Sequence, residues 1–103
     1  MSVEQEIEAL VKGNDVVLFM KGNQMFPQCG FSARAVGILQ RCGVKFKDVD
    51  VLSNPDIREG VKAYSSWPTI PQLYIRGEFV GGSDIMMEMY QSGELAKKLA
   101  PSA

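Results

Sequence analysis

The chain contains no histidine, which removes the commonest general base near neutral pH and the commonest nitrogen ligand for a metal ion. Cysteine is nearly as scarce, with only Cys29 and Cys42. Any chemistry must therefore come from two thiols, carboxylates, Lys, Arg, Tyr or backbone amides. Charge of one sign is never gathered into a run, and eleven Lys and Arg against twelve Asp and Glu leave a net charge of -1. Partners that demand a basic patch, nucleic acid and anionic membrane surfaces, are accordingly not expected. No apolar run approaches the roughly 18 residues of a membrane span. The first residues, Met1-Ser2-Val3-Glu4-Gln5-Glu6, are acidic rather than a basic signal region, so the cytoplasm or an equivalent reducing compartment is the expected location. What is present is 46% hydrophobic and 22% charged over 103 residues. That composition can bury a core, and that length fits a single domain spanning 1–103.

Local patterns divide the chain into nine elements. Ser2 and Gln5 have capping-box spacing, and Val3, Ile7, Leu10 and Val11 share one helical face before Gly13 closes the segment. Val16-Val17-Leu18-Phe19-Met20 is an unbroken apolar run, the pattern of a strand covered on both faces. After a polar connection from Lys21 to Gln28, Phe31, Ala35, Ile38, Leu39 and Cys42 recur at helical spacing, with Gly43 as the stop. Val44, Phe46, Val49 and Val51 mark a second strand. Asn54-Pro55 caps a middle helix whose buried face is Ile57, Val61 and Tyr64. Trp67-Pro68-Thr69-Ile70-Pro71 is too proline-rich for regular structure. Leu73-Tyr74-Ile75 and Glu78-Phe79-Val80 flank Arg76-Gly77 as a tight hairpin. Gly81-Gly82-Ser83-Asp84 opens a helix with Ile85, Met86, Met89 and Tyr90 apolar, and a last helix carries Leu95 and Leu99. The order α-β-α-β-α-β-β-α-α predicts an α/β fold: a parallel β-α-β half, an antiparallel hairpin, and a four-stranded mixed sheet with helices on both faces.

Chemistry concentrates at a few positions. Cys29 falls at a helix N-terminus, where unsatisfied amides and the positive end of the helix dipole favour thiolate. Lys21, close in sequence to the same loop, adds positive charge, while Pro27 and Gly30 leave room for a ligand backbone. Free cysteines are often simply core residues, and Cys42 fits that description: it lies on the apolar face thirteen positions on, about 20 Å away along a helix, beyond disulfide reach. Ser32 stands where a Cys-x-x-Cys motif would carry its second thiol. The Gly81-Gly82-Ser83-Asp84 segment offers backbone amides to an anion and a carboxylate to an amine, as a zwitterionic amino-acid head would require. Taken alone, Ser83 serves equally as a helix cap and Asp84 as a dipole partner. Arg58, beside Glu59, reads as a solvated face. Trp67 and Tyr64 read as packing aromatics, their place beside the proline turn being the one hint of a groove wall.

Four of these segments, Lys21-Gly22, Cys29-Gly30-Phe31-Ser32, Trp67-Pro68-Thr69-Ile70-Pro71-Gln72 and Gly81-Gly82-Ser83-Asp84, stand in the order and spacing of one family. The chain resembles the single-domain monothiol glutaredoxins of the Cys-Gly-Phe-Ser type over nearly its whole length. The resemblance implies the thioredoxin fold and a cis peptide bond before Pro71, opposite Cys29. It also implies glutathione as ligand. Lys21 and Arg58 would meet the glycyl carboxylate, the backbone of Ile70 would pair with the cysteinyl main chain, and Ser83 and Asp84 would hold the γ-glutamyl head. Relatives with Cys at the position of Ser83 have a further thiol that this chain lacks. A homodimer bridged by a [2Fe-2S] cluster is implied as well, with Cys29 of each copy as metal ligand and one glutathione thiol on each side. The implied role is iron-sulfur cluster carriage in assembly and delivery, with BolA-like proteins and apo iron-sulfur proteins as partners. The alternative is glutathione-dependent oxidoreduction with Cys29 as the catalytic thiol, removing glutathione from mixed disulfides. A redox-inert binding module is a third reading.

Overall fold

The computed structural model describes residues 2–101, so that Met1, Ser102 and Ala103 of the expected domain lie outside the described residues. In chain order the elements are α1 Val3–Gly13, β1 Val16–Met20, α2 Gly30–Arg41, β2 Lys47–Asp50, α3 Pro55–Ser65, β3 Gln72–Ile75, β4 Glu78–Gly81, α4 Ser83–Ser92 and α5 Glu94–Leu99. The strands lie in the order β2-β1-β3-β4. β1 runs parallel to β2 and antiparallel to β3, and β3 is antiparallel to β4. This is the mixed four-stranded sheet that the element order requires, and helices cover both of its faces.

The apolar run of β1 explains why two helical layers are needed. Successive side chains point to opposite faces of a strand. Val16, Leu18 and Met20 join Ala35, Val36, Ile38 and Leu39 of α2, Met86 of α4, and Leu95 and Leu99 of α5 in one core. Val17 and Phe19 join Ile7 and Val11 of α1 and Ile57 and Val61 of α3 in the other. All five β1 residues are buried, each large side chain contributing roughly 1.5–3 kcal/mol. β1 and β3 are the central strands, and their placement fixes where the ends of β1 and the start of β3 emerge.

Several boundaries follow their local signals. Gln5 N–H donates to the Ser2 hydroxyl at 3.1 Å while Ser2 N–H donates to Gln5 Oε1 at 3.0 Å, completing the capping box. Asn54 Oδ1 accepts from Ile57 N–H at 3.2 Å, with Pro55 next in the chain at the start of α3. Arg76 and Gly77 both have positive φ, 48° and 83°, the geometry of a two-residue hairpin turn. Three expectations change. β2 is the short, polar Lys47–Asp50 rather than a run from Val44 to Val51. Val44 and Phe46 pack on the α2 side before the strand begins, and Val51 is buried just after it, its N–H donating to the Met20 carbonyl. A charged sequence is tolerated because β2 is an edge strand. Asn14, not Gly13, caps the end of α1. Phe31, read as part of the buried face of α2, is 57% exposed.

Candidate functional site

Cys29 is the N-cap of α2, in extended geometry at φ -156° and ψ 142°, and is half-buried. Its thiol makes no formal capping hydrogen bond, yet the Ser32 backbone N–H beside the sulfur is the strongest influence holding its pKa below the ordinary 9.0. Partial burial opposes this, while the Phe31 N–H, the Lys21 charge and the Ser32 hydroxyl add to it. Ser32 is therefore more than the vacancy left by a second thiol. Fully buried, it accepts a 3.1 Å hydrogen bond from Lys21 N–H, tying the exit of β1 to the first turn of α2. Cys42 lies at the other end of α2, as its C-cap. It is half-buried against the core, and burial pushes its thiol up.

The connection between Lys21 and Gln28 is a built loop. Gly22, at φ 85°, bridges to Pro27, and a Cβ there would sit 2.4 Å from the Phe26 carbonyl oxygen. Only glycine fits such a close approach. Two carboxylates of β2 hold the loop from outside: Asp50 Oδ1 accepts from Gly22 N–H at 3.0 Å, and Asp48 Oδ2 accepts from Gln24 N–H at 2.9 Å. Neither was expected from sequence, although their spacing of two places them on one face of the strand. The loop leaves Met25 and Phe26 79% and 66% exposed, and with Phe31 they form an apolar fringe on the segments flanking Cys29.

Beside this loop runs a groove of about 450 Å³ whose walls include Lys21, Arg58, Ile70, Ser83 and Asp84. The structure thus brings together all five non-thiol positions singled out from sequence, drawn from the β1 exit, α3, the proline turn and α4. Phe31 at the start of α2 also lines it, so Cys29 stands next to the groove rather than in its wall. The Ile70–Pro71 peptide bond is cis. Ile70 turns its side chain into the core, and its main-chain N–H and carbonyl have no hydrogen-bond partner among the described residues. Ser83 does not cap α4: Gly82 occupies that position, without a side-chain cap, and Ser83 is buried in the first turn. Asp84 is exposed and pairs with Arg34 of α2 at 3.4 Å.

Lys62 and Trp67 complete the walls. Lys62 follows Arg58 by four positions and so shares its helix face, a signal present in the sequence. Trp67 is in the groove wall and packs against Phe79 in a tilted arrangement, ring centroids 6.0 Å apart, serving as packing aromatic and wall together. Tyr64 packs against Tyr74. Two buried donors in the wall, Arg58 Nε and Trp67 Nε1, have no hydrogen-bond partner among the described residues. A groove with several cations, unpartnered N–H groups and an open strand-like main chain suits a ligand with carboxylates and peptide-like edges.

Fold and site together define a thioredoxin-fold protein with one thiolate-favouring cysteine beside a groove lined by Lys21, Arg58 and Lys62. The glutaredoxin family profile matches residues 16–80. A monothiol glutaredoxin of Synechocystis, ycf64-like, is 57% identical over 93 residues, covering 90% of this chain and 87% of that protein. Glutaredoxin 4 of Escherichia coli strain K12 is 48% identical over 99 residues, covering 96% and 86%. Reduced apo GrxS14 of poplar superposes with a TM-score of 0.83 at 50% identity, covering 94% of this chain and 89% of that one. The buckwheat glutaredoxin-glutathione complex superposes with a TM-score of 0.84 at 25% identity, covering 94% and 86%. The chain belongs to the glutaredoxin family and, with Ser32 in place of a second active-site thiol, to its monothiol branch.

Proposed function

We propose that this protein binds glutathione in the groove and carries [2Fe-2S] clusters as cargo between assembly machinery and apo iron-sulfur proteins. The observation that carries the reading is the pairing of one thiolate-favouring cysteine with a groove built for an anionic peptide. A [2Fe-2S] cluster takes four thiolate ligands, and no group of three or more His, Cys, Asp or Glu residues among the described residues could hold a metal. Cys29 supplies one ligand. A second copy of the chain supplies another, and two glutathione thiols complete the set. Ligands that dissociate with the tripeptide suit release of a cargo better than its storage.

Groove chemistry supports glutathione in particular. Lys21 and Arg58 suit its glycyl carboxylate, the unpaired main chain of Ile70 suits its cysteinyl peptide, and the α4 N-terminus with Asp84 suits its zwitterionic γ-glutamyl head. The complex of a buckwheat relative with glutathione supports the same ligand. BolA-like proteins and apo iron-sulfur proteins are the proposed partners, and a reducing compartment such as the cytoplasm is the proposed location, where Cys29 stays a free thiol.

The lowered pKa of Cys29 favours a second reading, glutathione-dependent oxidoreduction. Here the Cys29 thiolate attacks the glutathionyl sulfur of a mixed disulfide, forming a Cys29-glutathione disulfide and expelling the partner thiolate. A second glutathione thiolate then attacks that sulfur, releasing glutathione disulfide and regenerating Cys29 thiolate. Ser32 cannot act as an internal resolving thiol.

Anaerobic reconstitution with iron, a sulfide source and glutathione, followed by visible absorbance across a size-exclusion profile, separates the two. A coloured dimer formed only with glutathione is expected. A colourless monomer that reduces a glutathione mixed disulfide would instead establish the oxidoreductase.

A further inference from the structure

Gln72 is fully buried, an unusual position for an uncharged amide unless every polar atom is engaged. It starts β3, directly after the proline turn, and on a strand it shares a face with Tyr74. Its Nε2 donates to the Trp67 carbonyl at 3.0 Å and to the Thr69 carbonyl at 3.2 Å, and its Oε1 accepts from the Tyr74 hydroxyl at 3.3 Å. Two acceptors on one side and a donor on the other fix which way the amide points.

The turn has few other anchors. Pro68 and Pro71 carry no N–H, so the turn cannot hold itself by a regular ladder. Its first residue is fixed by Trp67 N–H, which donates to the Lys62 carbonyl and the Ser65 hydroxyl. Beyond that point, the Gln72 amide provides the only hydrogen bonds to residues 67–70 among the described residues. Those residues present the Trp67 indole and the unpaired Ile70 main chain to the groove.

We infer that Gln72 is a positioning residue for ligand binding: its buried amide, oriented by Tyr74, sets the curvature of the proline turn and so the placement of the Ile70 main chain and the Trp67 indole. The inference rests on reading the groove as a glutathione site, but the turn can be followed without any ligand. Trp67 is the sole tryptophan in the chain, so intrinsic fluorescence reports the turn directly.

The test compares wild type with Gln72→Met, which keeps the length and removes all three hydrogen bonds. Expected are a shifted Trp67 emission and glutathione binding weakened by roughly tenfold or more, as for loss of a buried hydrogen-bond anchor. The Cys29 thiolate titration, followed at 240 nm, stays at its wild-type midpoint because the thiol sits on a different loop. Unchanged emission and affinity in a folded variant would overturn the inference, as would a thiolate midpoint that moves together with affinity. Should Gln72→Met fail to fold, Tyr74→Phe decides: a smaller change in the same two readouts supports the inference, and none overturns it. Wild type that ignores glutathione would defeat the glutathione reading, while the emission shift in Gln72→Met would still establish control of the turn.

Discussion

The two ends of α2 each carry a cysteine, and the two thiols face opposite electrostatics. At the N-terminal end Cys29 meets N–H groups and the nearby charge of Lys21, so its ionised form is favoured. At the C-terminal end Cys42 meets apolar side chains, so its neutral form is favoured. One helix therefore favours the thiolate at one end and the neutral thiol at the other, through peptide polarity, the Lys21 charge and burial. The lesson is that position on a helix, rather than residue type, assigns the chemistry.

Replacing each cysteine is the largest break in that comparison. Cys29→Ser is expected to abolish both cluster binding and reduction of a glutathione mixed disulfide, whereas Cys42→Ser retains both. Cluster retained in Cys29→Ser, read by visible absorbance, would overturn the ligand assignment. Wild-type alkylation at neutral pH, mapped by peptide mass, should label Cys29 well before Cys42.

Arg58→Ala tests whether the reactive end depends on the groove. Loss of a charge-assisted carboxylate contact should weaken glutathione binding by roughly 10- to 100-fold, and cluster lifetime should shorten with it. Calorimetry with glutathione and the decay of cluster absorbance give the two numbers. A cluster lifetime untouched by a large loss of affinity would show that glutathione is not a ligand.

A smaller change sharpens the electrostatic side. Ser32→Ala leaves the Ser32 backbone N–H in place but removes a hydroxyl that favours the Cys29 thiolate and anchors Lys21 N–H. The thiolate midpoint at 240 nm should rise toward 9.0, and neutral-pH alkylation should slow. Because the folded pKa of Cys29 is depressed, its ionisation favours the folded state fully above the unfolded value and ceases to do so as pH falls through the folded value.

The smallest effect extends the Cys42 principle to the core. Burial pushes the Tyr74 phenol up to about 12 from 10.0, so that its contribution to stability is intact below pH 10 and is lost as pH rises toward 12. Denaturant midpoints measured across that window should fall, and Tyr74→Phe should reduce the slope. Some slope persists, because burial also raises Tyr64.

Much of the architecture was legible in the chain. Capping at Ser2 and Asn54, the doubly covered run of β1, the Arg76-Gly77 turn and the N-terminal place of Cys29 depend on residues within a few positions of one another, so local pattern reports them. Phe31 and β2 were misread for a related reason. Apolar spacing shows where a helix can bury a face, yet the exposed end of α2 turns Phe31 to the groove, and an edge strand tolerates Lys47, Asp48 and Asp50 where a central one would not. The roles of Asp48 and Asp50 are not legible locally, because each acts on backbone that a distant segment supplies, and that of Gln72 is not, because an irregular proline turn has no periodicity to show which side chain holds it.

By itself, then, the sequence determined the element order, the two-sided core and the helix-terminal thiol, since hydrophobic period, capping and dipole are short-range properties. Only the tertiary structure decided that Lys21, Arg58, Ile70, Ser83 and Asp84 share one groove, that Ser32 joins β1 to α2, and that a buried amide supports the proline turn. The groove draws on segments far apart in the chain, and the Ser32 link spans 11 positions, so both exist only once the sheet has brought its strand ends to one edge. The Gln72 amide reaches back only five and three positions, but to a turn whose path no local pattern states.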